Sequence, residues 1–161
     1  FMPDDTVVVT PIEIDAKDLA SNYFLVYTGI TRKASDILAK QSASSDKKRA
    51  DLDVLRQQAV EVRTALESGN HNTVGMLLDA SWQIKRTLVD GITGDALDDL
   101  YSTVMELGTS GGKLLGAGGG GFFLFQGTPE IQSKLEGTYK VIALEMDTDG
   151  STIIFDDGSR V

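Results

Sequence analysis

Gly111-Gly112-Lys113-Leu114-Leu115-Gly116-Ala117-Gly118-Gly119-Gly120-Gly121 runs directly into Phe122-Phe123-Leu124-Phe125, and this junction decides how the rest of the chain reads. The residues that follow the glycines are aromatic and aliphatic, which predicts a strongly buried strand. Five glycines fall within residues 116–121. Each costs about 0.5–1 kcal/mol more than alanine to order in regular backbone, and a tight turn needs only one or two. The excess points to backbone N–H groups that must approach an anion or another loop with no Cβ in the way. A flexible hairpin bend is the plainer alternative. Two phosphate motifs fail here. Gly116-x-Gly118-x-x-Gly121 matches GxGxxG by letter, but a strand follows it where the dinucleotide fingerprint requires a helix. A Walker A loop needs Ser or Thr after Gly-Lys and an earlier Gly at fixed offset, whereas Leu114 follows Lys113 and Leu107 holds the earlier position.

Upstream of this junction the spacing is helical. Leu52, Leu55, Ala59, Val62 and Leu66 step by three and four and predict one buried stripe, closed by Gly69. Asn70 is the expected N-cap of a second helix carrying Val74, Leu77, Leu78, Trp82, Ile84 and Leu88. A third runs from Asp95 with Leu97, Leu100, Tyr101, Val104 and Leu107 inward, its acidic start favoured by the helix dipole. Trp82 and Tyr101 sit on apolar stripes and read as core, and His71 as a solvated first-turn residue. Ala34, Ile37 and Leu38 suggest a helix before the Ser-rich break at 42–45. Residues 6–14 read as β around Pro11, and Tyr23–Tyr27 as a buried strand. Pro129 starts a short helix, and 141–146 and 151–155 read as strands joined by a turn ending in Asp149-Gly150. Strands at both ends with helices between them argue for an α+β fold, ferredoxin-like, with a mostly antiparallel sheet and helices packed on one face.

Composition narrows the function. At 161 residues one domain, 1–161, is expected. A net charge of −9 disfavours phosphate-backbone binding, so no nucleic-acid partner is expected. No apolar run reaches the roughly 20 residues that span a bilayer. With no Cys and one His, thiolate and His-rich metal sites drop out, and a cytoplasmic setting fits. A second constellation lies at Thr28-Gly29-Ile30-Thr31-Arg32-Lys33, where cations at a predicted helix start suggest an anion nearby. An Arg32–Asp36 pair is the alternative. Lys113 either reaches toward the glycine loop or is a surface lysine. None of the carboxylate pairs stands out as an acid/base dyad.

The segment Gly111–Phe122 resembles the third, glycine-rich motif of the GHMP kinases. Tyr27-Thr28-Gly29-Ile30-Thr31-Arg32 and Ser81-Trp82-Gln83-Ile84-Lys85 are similar to the branch that contains D-glycero-D-manno-heptose 7-phosphate kinase and related sugar kinases. The likeness runs along nearly the whole chain, in order. It implies a two-domain enzyme whose N-terminal domain carries an ATP loop of the form PxxxGLGSS. No such segment occurs here, so the resemblance implies that this chain is the C-terminal part of a longer kinase. ATP and Mg2+ would then serve the full-length enzyme without binding this part tightly, its own N-terminal domain would be its partner, and self-association of the fragment is expected. The resemblance carries over Gly116, Ala117, Gly118, Gly119 and Gly120 as support for the ATP-phosphate loop. It also carries over Thr28, Gly29, Arg32 and Lys113 as contacts to a sugar phosphate, and no catalytic group. A stand-alone, non-catalytic binding module is the competing reading.

Overall fold

The computed structural model describes residues 6–31, 48–147 and 150–152. In chain order the elements are α1 (Ala16–Ser21), β1 (Tyr23–Tyr27), α2 (Arg49–Glu67), α3 (His71–Lys85), α4 (Asp95–Glu106), β2 (Gly111–Leu114), β3 (Phe122–Gln126), α5 (Pro129–Leu135) and β4 (Val141–Ala143). The strands form one sheet in the order β2-β3-β1-β4 with every neighbouring pair antiparallel. The fold is α+β, as the sequence predicts.

Register explains where the core lies. Phe24 stands opposite Phe125 and Val26 opposite Phe123, while Leu114 pairs with Phe123 from the other side. Alternation therefore sends these five side chains to one face, and all are fully buried there. Trp82 of α3, Tyr101 and Val104 of α4, and Leu135 of α5 close over them. Trp82 meets Phe123 edge-on at 5.3 Å, and Tyr101 lies 5.4–5.5 Å from Phe125 and Phe123. Each fully buried side chain of this size contributes about 1.5–3 kcal/mol over an exposed one. A second, smaller cluster joins Tyr23 with Ala65 of α2 and Val74 of α3, with Leu124 packed against it.

Tyr101 links this core to the sheet's polar groups. Its hydroxyl lies 2.7 Å from Asp79 Oδ1 and 3.2 Å from the Gly112 carbonyl oxygen, sharing one proton between two acceptors. Burial, then the bond to Asp79 and its charge, raise the phenol's pKa. Tyr101→Phe should lower unfolding free energy by about 1–2 kcal/mol, read by urea denaturation, because it leaves a buried carbonyl without a donor.

Several expectations are corrected. Residues 6–15 form no strand, and Val7, Val8 and Val9 are exposed: β-branched residues favour a strand only where a neighbouring backbone pairs with them. Instead α1 follows, capped by Asp15 Oδ1, which accepts from Lys17 N–H at 2.8 Å. The stripe on α2 is only half realised. Leu55, Val62 and Leu66 are half-buried, Leu52 and Ala59 are exposed, and Ala65 alone is buried. His71 is no solvated residue. Its Nε2 lies 2.8 Å from Asp18 Oδ2 and its Nδ1 3.1 Å from the Tyr23 hydroxyl, tying α1, β1 and α3 together. Gly111–Leu114, just ahead of the glycine loop, is a strand. The last strand stops at Ala143; residues 153–155 and the helix expected from residue 31 lie outside the described residues, as does Asp149 of the turn.

Candidate functional site

The glycine-rich segment is the β2–β3 connection. Leu115 N–H donates to the Phe122 carbonyl at 2.9 Å, and beyond that bond the loop is held from three sides. The segment after β1 holds its end: Gly121 N–H donates to the Ile30 carbonyl at 2.9 Å, and Thr28 N–H donates back to the Gly121 carbonyl at 2.9 Å. The Thr28 hydroxyl donates to that same carbonyl at 3.0 Å and accepts from Ile30 N–H at 3.2 Å. The turn after α3 holds its middle, where Gly119 N–H donates to the Ile92 carbonyl at 2.8 Å. That turn is in turn braced by Arg86, whose guanidinium lies 2.5 Å from Asp98 Oδ1, with the Thr93 hydroxyl on the same oxygen. Lys85, in the last turn of α3, holds the start: its Nζ donates to the carbonyls of Leu114 at 3.0 Å and Gly116 at 2.5 Å.

This packing explains the glycines at two positions. At Gly118, φ is 108°, and a Cβ would stand 2.9 Å from Ile92 Cγ2 and 3.1 Å from its Cα. At Gly120, φ is 151°, and a Cβ would run into the Ile30 carbonyl oxygen, 2.9 Å from its carbon. Both need positive φ and close backbone approach.

The clamps consume the N–H groups of Gly119 and Gly121. Those of Gly116, Ala117, Gly118 and Gly120 have no acceptor among the described residues. The same four residues, with Thr31 and Phe122, line an open groove of about 330 Å³. On the other side of the loop, Gly119 borders a smaller hollow of about 130 Å³ at the first turn of α4, whose Gly94 N-cap supplies no side-chain acceptor. Backbone donors line the groove, whereas the helix N-terminus beside the hollow already carries Asp95 and Asp98 in its first turn.

The structure brings Gly116, Ala117, Gly118, Gly119 and Gly120 together, with Thr28 and Gly29 beside them. The Thr28 hydroxyl is engaged inside the protein, bonding the loop itself. Lys113 sits in β2 opposite Leu124, on the face away from the main core. It is half-buried, makes no hydrogen bond or ion pair among the described residues, and burial lowers its pKa. Arg32 lies outside the described residues. Sequence reading assigned no role at the loop to Lys85, Ile30 or Ile92. A lysine in a helix's last turn is ordinary dipole chemistry, and two carbonyls carry no side-chain signal. Burial, and then the charge of Lys113, lower the Lys85 pKa to about 8.

Residues 62–140 match the family described as GHMP kinases C terminal. The chain is 31% identical over 130 residues to the D-glycero-alpha-D-manno-heptose 7-phosphate kinase of Campylobacter jejuni, covering 78% of this chain and 38% of that protein. It is 32% identical over 104 residues to an L-fucokinase/L-fucose-1-P guanylyltransferase of Bacteroides fragilis, covering 62% of this chain and 11% of that one. The crystal structure of L. major mevalonate kinase in complex with R-mevalonate superposes with a TM-score of 0.67 at 19% identity, over 84% of this chain and 45% of that one. The chain thus spans less than half the length of each of these proteins. Among the described residues no helix is long and apolar enough to cross a membrane. Residues 62–140 thus carry a GHMP kinase C-terminal domain, with which the curated relative and the fold agree.

Proposed function

We propose that this chain is the C-terminal part of an ATP-dependent sugar or sugar-phosphate kinase, with D-glycero-D-manno-heptose 7-phosphate as the favoured acceptor. One observation carries the reading: four loop N–H groups without acceptors among the described residues line a groove whose backbone is fixed by three separate clamps. Phosphoryl transfer depends mainly on positioning and on neutralising charge. A rigid loop of donors suits both tasks, seating the phosphate-gripping segment of the N-terminal domain and facing anionic oxygens. These donors fit phosphate. They do not fit a cation, and among the described residues no group of three or more Asp, Glu, His or Cys could hold one. In this reading Mg2+ would arrive with ATP on the N-terminal domain and would neutralise charge on the transferring phosphoryl group.

Gly116, Ala117, Gly118, Gly119 and Gly120 form the loop support in this reading, with Thr28 and Gly29 shaping its far end. Lys113 and Arg32 are the cations assigned to the sugar phosphate, and no catalytic residue is assigned to this chain. The choice of acceptor is supported by the Campylobacter jejuni relative, and the fucokinase relative supports a sugar more generally. The test assays the complete polypeptide with Mg-ATP and, separately, heptose 7-phosphate, L-fucose and mevalonate. The expected kcat/KM for heptose 7-phosphate exceeds the others by about a hundredfold or more, a ratio within reach of a site built to hydrogen-bond its substrate. Preference for another acceptor would replace the substrate, and no phosphoryl transfer to any would overturn the kinase reading.

A further inference from the structure

We propose that Lys85 is a positioning residue of the glycine loop: its ammonium, bonded to the Leu114 and Gly116 carbonyls, fixes the Gly116–Ala117 peptide so that the Ala117 N–H is available to an anionic ligand. The geometry is direct. In a trans peptide the C=O and N–H point in opposite directions, and the described backbone contains no cis bond. With the Gly116 carbonyl turned onto Lys85 at 2.5 Å, the Ala117 N–H points away from the lysine. It has no acceptor among the described residues. The Leu114 carbonyl obeys the same rule: it faces Lys85 at 3.0 Å, and the Leu115 N–H on the opposite side completes the hairpin bond to Phe122. One side chain thus orients two alternate peptides, Leu114–Leu115 and Gly116–Ala117, at the point where β2 becomes the loop.

The surroundings make this contact dependent on protonation. On β2 the facing charge is Lys113, and the loop contributes no titratable side chain. On α3 itself Asp79 is engaged by Tyr101 and Gln83, and Arg86 by Asp98. Burial and the Lys113 charge lower the Lys85 pKa to about 8, so the ammonium and its full set of donors are present below that pH and are lost above it. The effect on catalysis rests on the kinase reading; the positioning does not.

The amide signals of the full 161-residue chain, free of any phosphate, followed by 1H–15N NMR from pH 6.5 to 9.5, test the proposal. The Ala117 amide should titrate with a midpoint near 8 in the wild type and lose that titration in Lys85→Met. Lys113→Met, which removes the like charge, should move the midpoint upward. Lys85→Arg, which stays charged and protects the test should the Met variant fail to fold, should hold the loop amides at their low-pH positions throughout. A wild-type Ala117 amide that does not titrate near pH 8, or one that titrates unchanged without Lys85, overturns the proposal. In the complete polypeptide, kcat should fall as pH rises through 8 with KM for the acceptor unchanged, and Lys85→Arg should flatten that limb. An Ala117 titration that depends on Lys85, in a polypeptide with no phosphoryl transfer, supports the positioning and counts against the kinase reading.

Discussion

Gly120→Ala should reduce turnover of the complete polypeptide by about a hundredfold or more, a penalty of the size expected when a reacting group is displaced by an ångström. The added Cβ meets the Ile30 carbonyl oxygen in the backbone itself, where no side chain can swing aside. Relief requires the loop or the segment after β1 to retreat. Retreat breaks the bond from Gly121 N–H to Ile30 and loosens both bonds from Thr28 to the Gly121 carbonyl. The positive φ of 151° adds strain that only glycine avoids. A cost of about 2–3 kcal/mol in unfolding free energy should accompany the loss of activity. The sheet should survive, because the damage is confined to its connecting loop. A Gly120→Ala enzyme with wild-type kcat would show that the loop need not occupy this position. Circular dichroism unlike that of the wild type would show instead that the loop supports the fold itself.

Trp82→Ala should have the largest effect on stability, lowering unfolding free energy by about 3–5 kcal/mol. The indole is fully buried and stands between α3 and the sheet, 5.3 Å from Phe123 and 6.2 Å from Tyr101. Arg86 lies over its ring at 5.7 Å, so truncation also removes a contact of the arginine that braces the Ile92 turn. Trp82→Phe is the informative companion. The indole Nε1 is buried and has no hydrogen-bond partner among the described residues, so phenylalanine loses volume but also sheds an unsatisfied donor. Its cost should stay below that of alanine by about 2 kcal/mol or more, measured by denaturant unfolding. Equal costs for the two variants would mean that the indole nitrogen finds a partner.

The lowered Lys85 pKa separates loop loosening from unfolding. The folded-state value of about 8 lies below the 10.5 of an unperturbed lysine. Between those values the unfolded chain binds more protons, so this group's contribution to stability rises with pH across that window. The clamp weakens over the same range. A loop that becomes mobile above pH 8, where the penalty of the buried charge on the folded state is being relieved, is therefore not the first stage of denaturation.

Much of the fold was legible because its signals are local. The stripes that place Val74 and Trp82 on one helix, and Leu97, Leu100, Tyr101 and Val104 on another, depend only on a 3.6-residue period, and all of these residues are buried. The aromatic runs at 23–27 and 122–125 are strands in the structure for the same kind of reason. Residues 6–9 look as strand-like by propensity, yet they form none, since pairing is not a property of the segment alone. Gly111–Leu114 is the reverse case: glycine and lysine have poor strand propensity, and pairing with β3 makes them a strand.

The sequence by itself determined that the chain has an α+β core and that an unusual density of glycine interrupts it before residue 122. Those facts follow from periodicity and from the conformational cost of glycine. Which carbonyls the loop rests on, which N–H groups stay free, and the role of Lys85 were decided only by tertiary structure. The Lys85 ammonium meets a peptide 31 positions further along the chain, and the partners at Ile30 and Ile92 are backbone groups that every residue carries. Contacts of that kind come into being only when distant segments are folded against one another.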